Sequence, residues 1–202
     1  MTDFEARVRR LSAAAWALRA AAPVRADLPP FALAMFTDDR RGGDVAEMVA
    51  ALPRVPRVPP LAVIFRHDGM VGPARMKLAE EVRLEAKSRG HFFLMARQQL
   101  VGADGTHAVS GKGLISWPVH SLVEAAAAKA QGAGLGFVSP IFPTQSHPGA
   151  AGLGVARASA IAARAGFPCF ALGGMTPETA RRLHGLPFYG LGAIGAFSAS
   201  SG

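Results

Sequence analysis

The chain has 202 residues, of which 50% are hydrophobic and 18% are charged, and its formal net charge is +8. A chain of this length and polarity can bury one core of ordinary size, so the composition excludes wholesale disorder and favours a single domain. The basic balance favours an anionic partner: nucleic acid, an acidic membrane or a phosphorylated metabolite.

The positive charge is scattered along the chain rather than gathered into a binding stripe. Its densest cluster is Arg7, Arg9 and Arg10, and the sequence has one tyrosine and no basic run interleaved with aromatic residues. Because a nucleic-acid surface normally combines those features, no nucleic-acid partner is expected. An acidic membrane surface and a phosphorylated metabolite remain compatible with the composition.

Cysteine content and hydropathy limit the covalent chemistry and the compartment. Cys169, the one cysteine, rules out an internal disulfide and a multi-cysteine zinc site, and it lies in an apolar run as a small core residue would. No segment is long and apolar enough to span a bilayer. Asp3 and Glu5 lie where a signal peptide would be basic, so we expect a cytoplasmic protein without a membrane partner.

Short apolar runs alternate with segments of helical spacing through most of the chain. An amphipathic helix over Phe4–Ala21 and a linker to Pro30 come first, so we expect residues 1–30 to form an N-terminal helix and linker and residues 31–202 to form the main domain. Eight strand candidates follow, at Phe31–Phe36, Leu61–Phe65, His91–Ala96, Thr106–Val109, Leu114–Trp117, Leu135–Ser139, Pro168–Leu172 and Phe188–Ile194.

The segments between the strand candidates have helical start and stop signals. Ser121 is followed three positions later by Glu124, which is the spacing of a capping box. The connections on either side of the fourth strand candidate are too short for a full helix. The predicted helices are Asp44–Leu52, Pro73–Arg89, Ser121–Gln131, Val155–Ala165 and Thr176–His184.

Nearly apolar strands joined by helices indicate a parallel sheet covered on both faces. Eight of them predict an α/β protein, a single-domain (β/α)8 TIM barrel with an additional N-terminal helix. A doubly wound sheet is the alternative, because two connections are abbreviated. In such a barrel the active site is built from the loops that follow the strands, so those loops hold the candidate residues.

Two glycine-rich turns follow the seventh and eighth strand candidates. Gly173 and Gly174 precede a predicted helix that begins near Thr176, and Gly192–Gly195 ends the last run. Glycines allow a ligand to approach the backbone, and the start of a helix offers unpaired amide groups to a phosphate. The two turns together predict a phosphate site, and plain glycine turns without a ligand are the alternative.

Polar loops follow the fifth and sixth strand candidates. Residues 139–154 are rich in hydroxyl groups and glycine and are long for a connector, which is typical of a binding loop; a solvated linker is the alternative. His120 follows the fifth candidate, where an imidazole can exchange protons near neutral pH. A simple hydrogen bond at the edge of a helix is its alternative role.

Several of these segments resemble the thiamine phosphate synthase family, which includes the thiazole tautomerases. Ser139–His147 is similar to the family phrase Gly-Pro-Ile-Phe-Pro-Thr-x-Ser/Thr-Lys, and Ala171–Met175 is similar to Ala-x-Gly-Gly-Ile/Met. Val101–His107 is similar to the family's Gly-Ala-Asp-Gly-Val-His. The likeness covers roughly residues 31 to 202, and the phrase after the sixth strand is its most specific part.

The resemblance implies a role in thiamine biosynthesis and a thiazole phosphate as the ligand. Motif matching assigns Thr144 and Ser146 to the thiazole or its substituents, with His147 in the place of the family lysine. Asp38 and Arg66 match family positions after the first and second strands. The phosphate is assigned to the backbone of the two glycine turns, at Gly173, Gly174, Ile194 and Gly195.

The metal-binding part of the family pattern is missing. The synthases join a pyrimidine diphosphate to the thiazole with Mg²⁺ held by carboxylates, and their Asn-Asp-Arg on the third strand is Met95-Ala96-Arg97 here. The second acidic ligand expected soon after His107 is also missing. Because Mg²⁺ takes oxygen ligands, no metal ligand is predicted, and Mg²⁺ is expected only if synthase activity is retained.

Two enzyme functions are consistent with the resemblance. A synthase, which is a transferase, would couple thiazole phosphate to a pyrimidine diphosphate held by Arg66, Arg97 and Lys112. A tautomerase would need no metal and would use His120 to move the ring proton, so His120 and Arg66 are the catalytic candidates. The alternatives are a thiazole phosphate binder without turnover and an unrelated barrel for another sugar phosphate. The sequence leaves a homodimer open.

Overall fold

The fold is a closed barrel of eight parallel strands. The computed structural model describes residues 2–41, 43–144 and 151–194. Each strand is hydrogen-bonded to the next in chain order, and the last pairs with the first, where Leu33 lies opposite Leu191. The strands are β1 (Leu33–Phe36), β2 (Leu61–Phe65), β3 (Phe92–Ala96), β4 (Gly105–His107), β5 (Leu114–Val119), β6 (Leu135–Val138), β7 (Cys169–Leu172) and β8 (Leu191–Ala193).

Helices surround the strands. The predicted (β/α)8 class is confirmed, and the doubly wound alternative is excluded because β8 pairs with β1. The fully described stretch between β3 and β5 has no helix, in keeping with its short connections. No helix in the described ranges combines the length and apolar character needed to cross a membrane. The helices are α1 (Asp3–Ala21), α2 (Val45–Ala50), α3 (Gly72–Ser88), α4 (Leu122–Ala130), α5 (Val155–Arg164) and α6 (Pro177–Arg181), with a 3-10 helix over Asp39–Arg41.

Strand residues alternate between the barrel interior and the layer beneath the helices. Aromatic rings fill the interior: the ring centroids of Phe36 and Phe137 are 4.9 Å apart, and those of Phe137 and Phe170 are 5.8 Å apart, both pairs edge to face. Gly190 makes room for them, since a Cβ there would lie 2.6 Å from the Phe170 ring. The interior is therefore a packed core, and the space for a ligand lies at the strand ends.

A side-chain cap fixes the start of α4, as the sequence predicts. The Glu124 amide donates to Ser121 Oγ at 3.1 Å, and the Glu124 carboxylate accepts the His120 amide at 2.9 Å. The reciprocal bonds satisfy donors that a helix start would otherwise leave unpaired. They also hold the backbone of His120 at the end of β5.

The N-terminal helix packs on the outside of the barrel, and its last turns reach the end at which the strands begin. α1 packs against β1 and α6. Near its end, the Arg19 guanidinium donates to the carbonyl oxygens of Tyr189 and Pro29, both at 2.9 Å, and it also donates to the carbonyl oxygen of Phe31. Burial lowers the pKa of Arg19 to about 10, which leaves the side chain charged at neutral pH. One side chain thus joins the segments that lead into β1 and β8.

Arg19→Met is expected to lower the free energy of unfolding by about 2 to 4 kcal/mol, because it leaves several partly buried carbonyl groups without their donor. Urea denaturation followed by circular dichroism measures the change. Arg157→Met, on the exposed face of α5, is the matched control and should shift the value by less than about 0.5 kcal/mol. Equal stability of the two variants would contradict the role of Arg19.

Candidate functional site at the barrel mouth

The barrel brings the predicted loops together on one face, which we term the mouth. Parallel strands of a closed barrel all end at the same face, so the residues that follow β1 to β8 surround one opening. The mouth has two sides of different chemistry. Glycines and His120 follow β5–β8, whereas paired charges follow β1–β3.

A cleft of about 1060 Å³ opens at the ends of β7 and β8. Gly173, Gly174 and Ile194 line it, together with Thr144 from the loop after β6. The structure thus brings together four of the residues that the sequence nominates as ligand contacts. Three other nominated residues lie outside the described part of the chain: Ser146, His147 and Gly195.

The two glycines after β7 are required by the backbone that packs on them. Both have positive φ, 91° at Gly173 and 66° at Gly174. A Cβ at Gly173 would lie 2.7 Å from Pro140, and one at Gly174 would lie 2.8 Å from Phe142 Cβ. The Phe142 amide donates to the Gly173 carbonyl at 3.2 Å. These glycines therefore seat the loop after β6 against the end of β7, independently of any ligand.

The start of α6 is already paired, which corrects the expectation of unpaired amide groups there. The Thr176 amide donates to Thr179 Oγ1 at 2.8 Å, and the Thr179 amide donates to Thr176 Oγ1 at 3.2 Å. The pKa of the Glu178 carboxyl is lowered by hydrogen bonding to its own backbone and to the side chain of Thr176. By contrast, no described residue accepts the amide of Gly174 or Ile194, so both amides remain available to an anion in the cleft.

His120 stands at the end of β5 with its ring anchored through one nitrogen. Its Nδ1 lies 2.6 Å from the carbonyl oxygen of Ser139, the residue after β6. Because a carbonyl oxygen can only accept, Nδ1 carries the hydrogen, and Nε2 of the neutral ring keeps a lone pair. Across the described ranges, no group contacts Nε2 by a hydrogen bond. An exposed imidazole held in this way can take a proton and return it.

His107, the last residue of β4, is a candidate site residue that the sequence analysis does not single out. Its ring lies in the barrel interior, with centroid distances of 5.2 Å to Phe36 and 5.6 Å to Phe137, and the residue is 7% exposed. Ser116 Oγ donates to the Thr106 carbonyl at 3.0 Å. That hydroxyl oxygen therefore accepts the Nδ1 hydrogen of His107, also at 3.0 Å.

Burial keeps His107 neutral. Desolvation is the main cause, and the charges of Arg66 and Arg97 add to it, so that the pKa of His107 falls to about 3. A neutral imidazole therefore forms part of the floor beneath the mouth. Its position within the predicted strand Thr106–Val109, where alternate residues face the interior, is the sequence signal that could have identified it.

The two arginines nominated to hold a diphosphate are each paired with a carboxylate. Arg66 Nη2 lies 3.3 Å from Asp38 Oδ2, and Arg97 Nε lies 3.1 Å from Asp68 Oδ2. The structure therefore brings Arg66, Asp38 and Arg97 to the same side of the mouth. Since each ion pair has no net charge, this side attracts a polyanion only weakly.

Lys112 lies at the opposite end of the strands. It lies just before β5. The first amide of β5, that of Leu114, donates at 2.9 Å to the carbonyl of Asp104, which lies just before β4. The intervening Gly113 packs on the same carbonyl, since a Cβ there would lie 2.2 Å from its oxygen. The short connection after β4 has no helix and returns directly to the strand starts. The structure thus does not bring Lys112 to the mouth arginines.

The residues at the mouth do not fit the Mg²⁺ ion that the family resemblance implies. Ala96 ends β3 and faces the barrel interior beneath the mouth, where it is buried, because Leu94 belongs to the interior core and Met95 to the outer core. Its methyl group offers no oxygen ligand. Asp38 and Asp68 are engaged by arginines, and in the described residues no three His, Cys, Asp or Glu side chains are grouped so that they could hold a metal ion.

These features define a class of protein: a (β/α)8 barrel with a ligand-sized cleft at the ends of β7 and β8 and an anchored imidazole at the end of β5. Comparison with known proteins identifies the family within that class. The sequence profile described as thiamine monophosphate synthase matches residues 96–196, half of the chain. The chain belongs to the thiamine monophosphate synthase family.

Individual relatives share sequence or fold with the chain. The putative thiamine-phosphate synthase 2 of Aquifex aeolicus (strain VF5) is 31% identical over 137 residues, which cover 60% of this chain and 74% of that protein. Thiamine phosphate pyrophosphorylase from Pyrococcus furiosus superposes with a TM-score of 0.64 at 21% identity, over 84% of this chain and 88% of that one. A native KDPGal structure superposes with a TM-score of 0.53 at 13% identity, over 89% and 88% of the two chains. The two structural matches show a shared fold.

Acid is expected to destabilise the protein through His107. Its folded-state pKa of about 3 lies below the ordinary value of 6.5, so the unfolded chain binds the proton first, and stability falls as the pH drops from about 6.5 toward about 3. Between about pH 7 and about pH 4.5, this one group should remove about 2 kcal/mol from the free energy of unfolding.

His107→Leu should therefore lose less stability than the wild type over the same pH interval, because leucine binds no proton. Urea denaturation at the two pH values measures the difference. His184→Leu, at an exposed histidine, is the control and should keep the wild-type pH dependence. If His107→Leu also kept the wild-type pH dependence of stability, the conclusion that burial holds His107 neutral would be wrong.

Proposed function

We propose that the protein binds a thiazole phosphate at the barrel mouth and moves a proton on its ring without a metal ion, as a tautomerase does. The observation that carries this proposal is the anchored imidazole of His120, whose Nδ1 donates to the Ser139 carbonyl and whose Nε2 is left as an acceptor. Family membership supports the class of ligand. The residues at the mouth support the metal-free chemistry.

The phosphate is proposed to lie in the cleft at the ends of β7 and β8. The amides of Gly174 and Ile194 would donate to its oxygens, and Thr144 would contact the ring or its substituents. The loop after β6 lines this cleft, and Ser139 at the start of that loop also holds His120. A ligand with its phosphate at β7 and β8 would therefore direct its ring toward the ends of β5 and β6.

His120 would act as base and then as acid. Nε2 would remove a proton from one atom of the ring system, and the imidazolium would return a proton at another, so the composition of the ligand is unchanged and no leaving group forms. The Ser139 carbonyl, to which Nδ1–H already donates, would stabilise the positive charge on the ring. His107 would not compete for the proton, because burial lowers its pKa to about 3.

Coupling to a pyrimidine diphosphate is the weaker candidate on these residues. A diphosphate brings several negative charges, but both mouth arginines are paired with aspartates and Lys112 lies at the other end of the strands. Ala96 supplies no ligand for the Mg²⁺ that would neutralise the leaving group. A protein that binds thiazole phosphate without turnover is the second candidate. The paired arginines and Ala96 lie on the side of β1–β3 and leave the cleft at the ends of β7 and β8 intact.

His120→Asn is expected to slow exchange of the ring proton by about 10²- to 10⁴-fold, because the amide can still donate to the Ser139 carbonyl but has no nitrogen that titrates. NMR of thiazole phosphate in deuterated water gives the rate. Calorimetric titration gives the affinity, which should change by less than about threefold. A wild-type rate in this variant would eliminate the proposed role of His120, and exchange absent from the wild type would favour the binder.

The wild-type protein is expected to form no thiamine phosphate from thiazole phosphate and a pyrimidine diphosphate above the rate without protein, with or without Mg²⁺. The physical reason is the absence of carboxylate ligands at the end of β3 together with the paired arginines. Product formation followed by chromatography measures this. Robust product that depends on Mg²⁺ would establish the synthase and refute the argument from Ala96.

A further inference from the structure

The N-terminal helix supplies a basic wall to the ligand cleft, and we infer that Arg10 of α1 and Arg181 of α6 bind the phosphate of the ligand. The identity of the ligand rests on the proposed function. The chemical group that the arginines recognise, a phosphate monoester, does not depend on that function.

The cleft at the ends of β7 and β8 extends beyond the strand ends. Its wall continues along α1, with Arg7 and Arg10, and along α6, with Arg181. The two helices pack against each other. α6 begins after β7, and α1 reaches the strand starts at Arg19, so the first turns of both helices lie toward the mouth.

The charges on this wall complement a phosphate dianion. Arg7, Arg10 and Arg181 line the cleft with one carboxylate, that of Glu178, so basic side chains outnumber acidic ones on this wall. Hydrogen bonding to its own backbone and to Thr176 is the main cause that lowers the pKa of Glu178, and the charges of Arg181 and Arg10 lower it further. The side chains of Arg10, Glu178 and Arg181 therefore lie near one another. A phosphate monoester carries about 1.5 to 2 negative charges at pH 7.

Arg10 and Arg181 form no side-chain hydrogen bond and no close ion pair within the described residues, unlike several arginines that are paired on their own helices. Arg9, Arg83 and Arg89 each form an ion pair with a glutamate on their own helix, at 2.9, 2.6 and 2.8 Å. Over the ranges that the structure describes, neither Arg10 nor Arg181 has a side-chain hydrogen bond or an ion pair. Their guanidinium donors can therefore bind the oxygens of an anion, which arginine does well because its donors form a planar fork.

The phosphate would then be held from two sides. The amides of Gly174 and Ile194 would donate from the strand side, and the two guanidinium groups would bind from the helix side. α1 thereby becomes part of the binding site. The phosphate would contribute a large share of the affinity, and the ring would contribute the selectivity among phosphate monoesters.

Calorimetric titration with thiazole phosphate, and NMR titration with a simple alkyl phosphate monoester at millimolar concentration, test the inference. The double variant Arg10→Gln/Arg181→Gln should bind both ligands more than about tenfold more weakly, and the salt dependence of binding should flatten. Arg10→Lys/Arg181→Lys keeps the charge and should recover part of the affinity. Arg157→Gln/Arg164→Gln, which removes the same two charges from the exposed face of α5, should stay within about twofold of the wild type.

The outcomes separate the inference from the proposed function. Unchanged affinity in the double glutamine variant, or no binding of the alkyl phosphate to the wild type, would overturn the inference. Arginine-dependent binding of the alkyl phosphate without tighter binding of thiazole phosphate would support the inference and refute the proposed ligand. Because both substituted residues are exposed, the thermal midpoint of the double variants should match that of the wild type, and the lysine variant controls for any loss of fold.

Discussion

The seam between β1 and β8 is the constraint on which the barrel depends, and Arg19 supports it from outside the sheet. The two strands align only from Leu33 with Leu191 to Met35 with Ala193. So short a ladder contributes few hydrogen bonds, and the segments that lead into it carry carbonyl groups with no ladder partner. Arg19 donates to carbonyls on both sides of the seam and stays charged there. The sheet is therefore closed by a charge-assisted cluster as well as by strand pairing.

The position of α1 links this closure to the ligand cleft. Arg19 holds the end of the helix at the strand starts, so its earlier turns run beside α6 toward the mouth and line the cleft there. The interior beneath the mouth is filled by aromatic rings, with neutral His107 among them. The space for a ligand is consequently confined to the rim, where loops and helix starts meet.

The two sides of the rim have opposite electrostatic characters. On the side of β1–β3, arginines and aspartates neutralise one another, and the end of β3 presents a methyl group. On the side of β5–β8, backbone amides can donate to a ligand and Nε2 of His120 can accept from one. The side of β5–β8 therefore keeps hydrogen-bonding groups that no other described residue uses, whereas the charges on the side of β1–β3 are paired with one another.

Most of the fold follows from the sequence alone, because it rests on local patterns. Each predicted strand overlaps an observed strand, because a nearly apolar run between turn signals can form few other structures. The cap of α4 at Ser121 follows from a spacing of three residues. The positions of Gly173, Gly174 and Ile194 on one cleft follow from the rule that parallel strands end at one face.

The charge state of the site was decided by the tertiary structure. Arg66 meets an aspartate 28 positions away and Arg97 one 29 positions away, and no periodicity encodes such pairs. Lys112 lies at the strand starts because the connection before β5 has no helix, and Thr176 and Thr179 pair the helix start that was expected to be free. Arg10 and Arg181 meet only because α1 packs on α6. The sequence by itself determined which residues reach the strand ends; only the folded chain decided which of their charges remain for a ligand, because that depends on neighbours brought together from distant parts of the chain.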